Sequence, residues 1–228
     1  VPLIRMVDDS LTAGMVEYVV WRVLDWHRQG DSYRAQQRQG SWRALPQKLA
    51  HERRVGVMGL GQLGAAAARA LAALGFDVAG WSRTEKAIDS VACLAGPEGM
   101  ERFLGHSEIL VCLLPLTDDT RGILNAELFE KLPRGAYLIN AARGGHLVEA
   151  DLPPALDSGR LAGAALDVFA REPLPPDHPF WRDPRIAITP HAASDTHART
   201  AARTVVARIR QIEAGEAPDN LVVRGRGY

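Results

Sequence analysis

The stretch VGVMGLGQLGAAAARALAALG, Val55 to Gly75, runs from a short apolar segment through a glycine-rich turn into an alanine-rich segment of helical character. Gly59, Gly61 and Gly64 stand in the spacing G-x-G-x-x-G. At such a junction the first glycine permits a tight turn and the second lets the backbone approach a pyrophosphate. The third allows close packing of helix on strand, and the helix N-terminus offers free N–H groups and a positive dipole end. The spacing alone is weak evidence; between a buried strand and a helix it predicts a dinucleotide-binding turn.

The chain on either side fits that reading. Downstream of Val55, apolar runs alternate with helical patterns: DVAGW, ILVCLL, AYLIN, AGAALDV and RIAIT, with helices around Glu127 and Ala155 between them. Strands and helices alternating in this way predict parallel βαβ units, hence an α/β fold with a doubly wound sheet of the Rossmann type. Pro153 and Pro154 follow Glu149 and Asp151, where they fit the first turn of a shortened helix. Upstream, LTAGMVEYVVWRVLDWH (11–27) carries Val16, Val19, Val20, Val23 and Trp26 at helical spacing, with Ser10 or Thr12 as caps. Residues 30–47 are polar, dotted with Tyr33 and Trp42, and show no period. A last helix is expected over 196–214, with Val205, Val206, Ile209 and Ile212 inward and Gly215 as its stop.

Composition narrows the partners. In 228 residues, 27 Lys and Arg balance 27 Asp and Glu, so no net field recruits nucleic acid or an anionic membrane. No apolar run approaches the roughly 18 residues of a membrane span, and no leader pattern opens the chain. Cys93 and Cys112 are far apart, form no C-x-x-C pair and fit no metal motif, which points to a reducing, cytoplasmic setting and to buried filler. The expected partner is a small molecule.

GWSRT, Gly80 to Thr84, identifies the nucleotide. In an NAD-binding turn an acidic residue about 20 positions on grips the adenosine ribose hydroxyl. Here Asp77 opens its strand, at the wrong end, and the carboxyl end carries Ser82 and Arg83. A hydroxyl beside a guanidinium suits a 2′-phosphate that a carboxylate would repel, so NADP(H) is preferred and NAD(H) possible. An arginine exposed on a solvated turn would look the same.

NAARGG (140–145), LDVFAREPLP (166–175) and ITPHAA (188–193) each follow a strand, on the side where doubly wound sheets bind ligands. Arg143 has the donors to clamp a substrate carboxylate and polarise a carbonyl. His191 can deliver the proton that accompanies hydride transfer, and Glu172 can orient His191 and keep it protonated. Each of the three alone also has a structural explanation. Their placement at successive strand ends behind a dinucleotide turn favours a catalytic one.

GLGQLG, LLPLT, NAARGG, LDVFAREPLP and ITPH, in that order, resemble the D-isomer-specific 2-hydroxyacid dehydrogenases. WSR after the second strand, and REPLPP followed by Pro179 to Trp181, resemble the bacterial glyoxylate/hydroxypyruvate reductase A branch. The resemblance implies Arg143 as the binder of the substrate carboxylate and carbonyl, His191 as general acid/base and Glu172 as its partner. It implies cofactor contacts from Leu63, Leu114, Pro115, Ala141 and Asp167. It implies reduction of small 2-oxo acids, glyoxylate to glycolate and hydroxypyruvate to D-glycerate, with NADPH.

By the same resemblance residues 1–12 are the remnant of a flavodoxin-like substrate domain that is otherwise absent from these 228 residues. Residues 13–194 are the dinucleotide-binding domain, 13–47 its homodimerisation helix and arm, and 195–228 the helix returning to the substrate domain. Two alternatives stay open. One is a dehydrogenase of another 2-oxo acid, such as a phosphoglycerate type; the other is a module that senses dinucleotide without turnover. Formate dehydrogenase is disfavoured, because that branch has glutamine where Glu172 stands.

Overall fold

The computed structural model describes residues 3–6, 8–218 and 220–222. Parts of the expected substrate-domain remnant (1, 2 and 7) and of the returning segment (219 and 223–228) lie outside the described residues. Among the described residues, seven strands make one parallel sheet: β1 (Arg54–Met58), β2 (Asp77–Ser82), β3 (Ala92–Ala95), β4 (Ile109–Cys112), β5 (Ala136–Asn140), β6 (Leu161–Leu166) and β7 (Ile186–Ile188). The strand order β3-β2-β1-β4-β5-β6-β7 reverses direction beside β1. That is the switch point at which a crevice opens beyond the carboxyl ends.

The helices are α1 (Asp9–His27), α2 (Gly30–Arg38), α3 (Gln62–Ala73), α4 (Gly96–His106), α5 (Ala126–Lys131), α6 (Leu152–Asp157) and α7 (Ala198–Glu213). Both faces of the sheet are covered, which is why its central strands read as continuous apolar runs. On one face Val55, Val57, Val111 and Ile139 pack with Val19 and Val23 of α1 and Ala67, Ala68 and Leu71 of α3. On the other, Met58, Leu110 and Leu138 pack with Phe103 and Leu104 of α4, Phe129 of α5 and Leu152 of α6. The alanines of α3 let it lie close on β1, and α6 is short, with its prolines in the first turn.

Several expectations change. The seventh strand, β3, and helix α4 went unread: β3 is a four-residue edge strand with no fully buried position, and GPEGMERFLGH contains a proline and three glycines. Residues 30–38 are helical rather than irregular. No side chain of α2 is buried, so no apolar stripe marked it; Arg34 ties it to Asp25 of α1 at 2.7 Å and pairs within the helix with Asp31 at 2.6 Å. Helix α1 starts at Asp9 under an Asp8 cap, not at Ser10 or Thr12. Within the expected remnant, 1–12, Ile4 makes an isolated antiparallel bridge to Leu221. Cys112 is buried, but Cys93 only partly so.

The last helix, α7, stops at Gly215 as expected, with φ +75°. Its apolar face is not inward: Val205, Val206, Ile209 and Ile212 are 42, 45, 47 and 53% exposed. Amphipathic spacing marks a face suited to burial, and here no described residue buries it.

Candidate active site

The glycine turn joins β1 to α3. Gly59 sits at φ +106°, where a Cβ would also meet the Leu113 carbonyl at 2.8 Å, so only glycine fits between the ends of β1 and β4. A Cβ on Gly64 would lie 1.8 Å from the Gly59 oxygen, which is the close helix–strand contact expected of the third glycine. Gly61 faces open space, with nothing within 4 Å of where its Cβ would stand. The first N–H groups of α3 lack intrahelical partners by geometry, so this is a cradle of backbone donors that fits a pyrophosphate. Half-buried Leu63 and buried Leu114 and Ala141 stand on or beside the turn and the ends of β4 and β5, with Pro115 next to Leu114.

At the end of β2, Ser82 is buried and its hydroxyl donates to the Thr84 carbonyl at 2.7 Å, which shapes the turn. Arg83 is exposed and lines a groove with Trp81, Gly96, Pro97 and Met100. The Ser82 hydroxyl hydrogen is therefore engaged within the turn.

Beyond β5, β6 and β7 the site is made of side chains. His191 Nδ1 and Glu172 Oε2 lie 2.7 Å apart, and Glu172 Oε1 accepts from the Phe169 amide at 3.0 Å. Burial pushes the Glu172 carboxyl up, but the His191 and Phe169 hydrogen bonds and the positive charges of His191 and Arg143 outweigh it and hold its pKa below 4.5. Arg143 is exposed, with one guanidinium nitrogen donating to its neighbour's carbonyl, Ala142 O, at 2.6 Å. The three residues expected to act together therefore share one electrostatic neighbourhood.

Their loops are fixed from below. Asn140, fully buried at the end of β5, accepts from the Ala142 amide and donates to the Arg143 carbonyl. His146, also fully buried, takes the Arg143 amide on Nδ1 at 3.2 Å and sets Nε2 3.3 Å from the Pro115 carbonyl. Nδ1 also lies 3.0 Å from the Arg143 carbonyl, and burial lowers the His146 pKa and favours the neutral ring. The Asp167 carboxylate, 1% exposed, accepts from Thr189 Oγ at 2.6 Å and from the amides of Ala192 and Ala193 at 2.9 Å each. Expected as a cofactor contact, Asp167 also anchors the His191 loop. Sequence reasoning missed Asn140, His146, Thr189 and Tyr18, whose hydroxyl lies 2.8 Å from that of Thr189. Only contacts across the fold reveal the last three.

The family profile described as D-isomer specific 2-hydroxyacid dehydrogenase, NAD binding domain, matches residues 20–193. The chain belongs to this family. Glyoxylate/hydroxypyruvate reductase A of Salmonella paratyphi B is 46% identical over 228 residues, all of this chain and 73% of that protein. A D-isomer specific 2-hydroxyacid dehydrogenase of Xanthobacter autotrophicus Py2, solved with NADPH and MES, superposes at a TM-score of 0.97 with 49% identity, covering 100% of this chain and 94% of that one. The NADPH-dependent glyoxylate/hydroxypyruvate reductase of Sinorhizobium meliloti, solved with NADP and sulfate, gives a TM-score of 0.98 and 46% identity over 100% of this chain and 73% of its own. Membership in this family accounts for the α/β architecture and makes the chain an NAD(P)-dependent oxidoreductase. Among the described residues, no helix is long and apolar enough to cross a membrane.

Proposed function

We propose that this family member reduces small 2-oxo acids with NADPH, taking glyoxylate to glycolate and hydroxypyruvate to D-glycerate. The observation that carries the reading is the 2.7 Å contact of His191 Nδ1 with Glu172 at the mouth of a sheet whose β2 turn ends in Arg83. The relatives solved with NADP or NADPH support the nucleotide preference.

The residues divide the work. NADPH, when bound, supplies the hydride. Arg143 holds the substrate carboxylate with the N–H donors that Ala142 does not occupy, and draws charge from the adjoining carbonyl oxygen. His191, with Nδ1 held by Glu172, gives a proton from Nε2 to that oxygen as it gains electrons. Glu172 stays a carboxylate near neutrality and stabilises the imidazolium before transfer. Gly59, Gly61 and Gly64 seat the pyrophosphate, and Leu63, Leu114, Pro115 and Ala141 shape the cradle around it. Ser82 and Arg83 set the preference for the 2′-phosphate.

The chain pairs with a second copy through residues 13–47, where Trp42 is fully exposed and Tyr33 and Trp21 are partly so. Its compartment is the cytoplasm, a setting that suits the free thiols of Cys93 and Cys112.

The test is NADPH and NADH oxidation with glyoxylate, hydroxypyruvate and a phosphorylated 2-oxo acid, beside sedimentation of the protein for its oligomeric state. NADPH-linked turnover of the first two acids is expected. Turnover of the phosphorylated acid alone moves the reading to another branch of the family, and tight dinucleotide binding without turnover of any acid makes the chain a sensor.

A further inference from the structure

Helix α1 meets the acid/base loop at two points: Leu11 O accepts from Ser194 Oγ at 2.6 Å, and the Tyr18 side chain meets Thr189. His191 has φ +53°, a left-handed conformation that a residue bearing a Cβ holds only when its surroundings impose it. Three consecutive amides of this turn, those of His191, Ala192 and Ala193, lead to Asp167. Its carbonyl accepts from the His191 amide at 2.8 Å, and its carboxylate accepts from the amides of Ala192 and Ala193. Thr189 Oγ stands 2.6 Å from Asp167 Oδ1 and 2.8 Å from the Tyr18 hydroxyl.

The direction of this chain is fixed by chemistry. A carboxylate only accepts, so Thr189 must donate to it, and the Thr189 oxygen is left to accept from Tyr18 O–H. Burial raises the Tyr18 pKa, which keeps that proton in place. The phenol is itself held edge-on against Trp21, ring centroids 5.8 Å apart, and the Arg22 guanidinium lies 3.8 Å from the Trp21 ring centroid.

We propose that Tyr18 is a positioning residue for proton transfer: through Thr189 and Asp167 it holds the left-handed His191 loop in register, tying the acid/base group to helix α1. The proposal rests on the reading of His191 as the proton donor.

Tyr18→Phe keeps the ring and its packing and removes one O–H. With glyoxylate and NADPH, kcat is expected to fall roughly tenfold, the effect of one hydrogen bond lost to a polar group of a network. KM and the NADPH Kd should stay within about twofold, and the solvent deuterium isotope effect on kcat should grow as proton transfer becomes slower. Thr189→Val should behave alike and Thr189→Ser should restore the rate. The double variant Tyr18→Phe/Thr189→Val should lose no more than Thr189→Val alone, because both cut one chain. Wild-type kcat in Tyr18→Phe and Thr189→Val, losses that multiply in the double variant, or an equal loss of NADPH binding would each overturn the proposal. His191→Ala separates the two levels. If it is inactive while Tyr18→Phe is normal, the positioning role alone falls; if it keeps the parent rate, the proton-donor reading and this proposal fall together.

Discussion

Strands β1 and β2 meet the ligand side of the sheet mostly with backbone, whereas β5, β6 and β7 meet it with side chains. At the first edge, a φ of +106° at Gly59, a contact that only glycine allows at Gly64 and open space at Gly61 make a cradle of amides. One exposed cation, Arg83, stands at its far end. At the second edge, Arg143, Glu172 and His191 sit on loops braced by buried Asn140, His146 and Asp167. A cradle of amides binds any dinucleotide and reacts with none, so identity and chemistry must come from side chains added at its borders. The difference separates binding from turnover, and variants on one side should leave the other intact.

The largest expected effect breaks the chemical side alone. His191→Ala should lower kcat by about 10²- to 10⁴-fold, the usual worth of a positioned acid/base, with the NADPH Kd unchanged in a fluorescence titration. A parallel loss of NADPH affinity would mean that the two edges are not separable. The reciprocal variant is Arg83→Ala, which removes the cation and leaves the glycine cradle. NADPH affinity should fall roughly 10- to 100-fold, the range for a charge-assisted hydrogen bond, while NADH affinity and the rate with saturating cofactor hold. Equal weakening of both nucleotides would place Arg83 outside the phosphate site.

Glu172→Gln sharpens the chemical side further. The folded pKa of Glu172 is held below 4.5, so its pairing stabilises the protein above that value and the benefit disappears as pH falls through the lower folded pKa. Parent and variant should therefore melt at different temperatures at pH 6 and converge in acid. The variant's kcat at neutrality should be roughly tenfold lower, since a neutral amide orients the imidazole without stabilising its charge. A melting difference that persists into strong acid would show that the carboxylate's charge is not the source.

The nucleotide side was legible because its determinants are local: strand, three glycines and helix lie within Val55 to Gly75, and Ser82–Arg83 follow at the next strand end. On the chemical side the candidate residues Arg143, Glu172 and His191 could be picked out, each following an apolar run, but their supports could not. Tyr18 and Thr189 are 171 positions apart, and nothing in the spacing of either announces the other. His146 reads in sequence as one more loop residue, and only full burial between the Arg143 and Pro115 backbones gives it a task. Among the elements, β3 and α2 escaped for a related reason: β3 has only four residues and α2 no apolar stripe, and periodicity registers only faces long and apolar enough to show a repeat.

Helices α3 and α7 carry that point to its limit. Both show apolar residues at helical spacing, yet Leu71 of α3 is fully buried and Ile209 of α7 is 47% exposed. Truncating a buried leucine removes its transfer free energy and leaves a cavity, so Leu71→Ala should cost about 2–5 kcal/mol in denaturant unfolding. Ile209→Ala removes side-chain atoms that are already half in water and leaves no enclosed void. Its cost in this chain should stay within about 0.5 kcal/mol, helped by alanine's higher helix propensity. A loss of 2 kcal/mol or more at Ile209 would mean that the face is covered in solution, by a second copy or by residues outside those described. Repeating the measurement across a hundredfold range of protein concentration tells the two apart, because only cover by a second copy weakens on dilution.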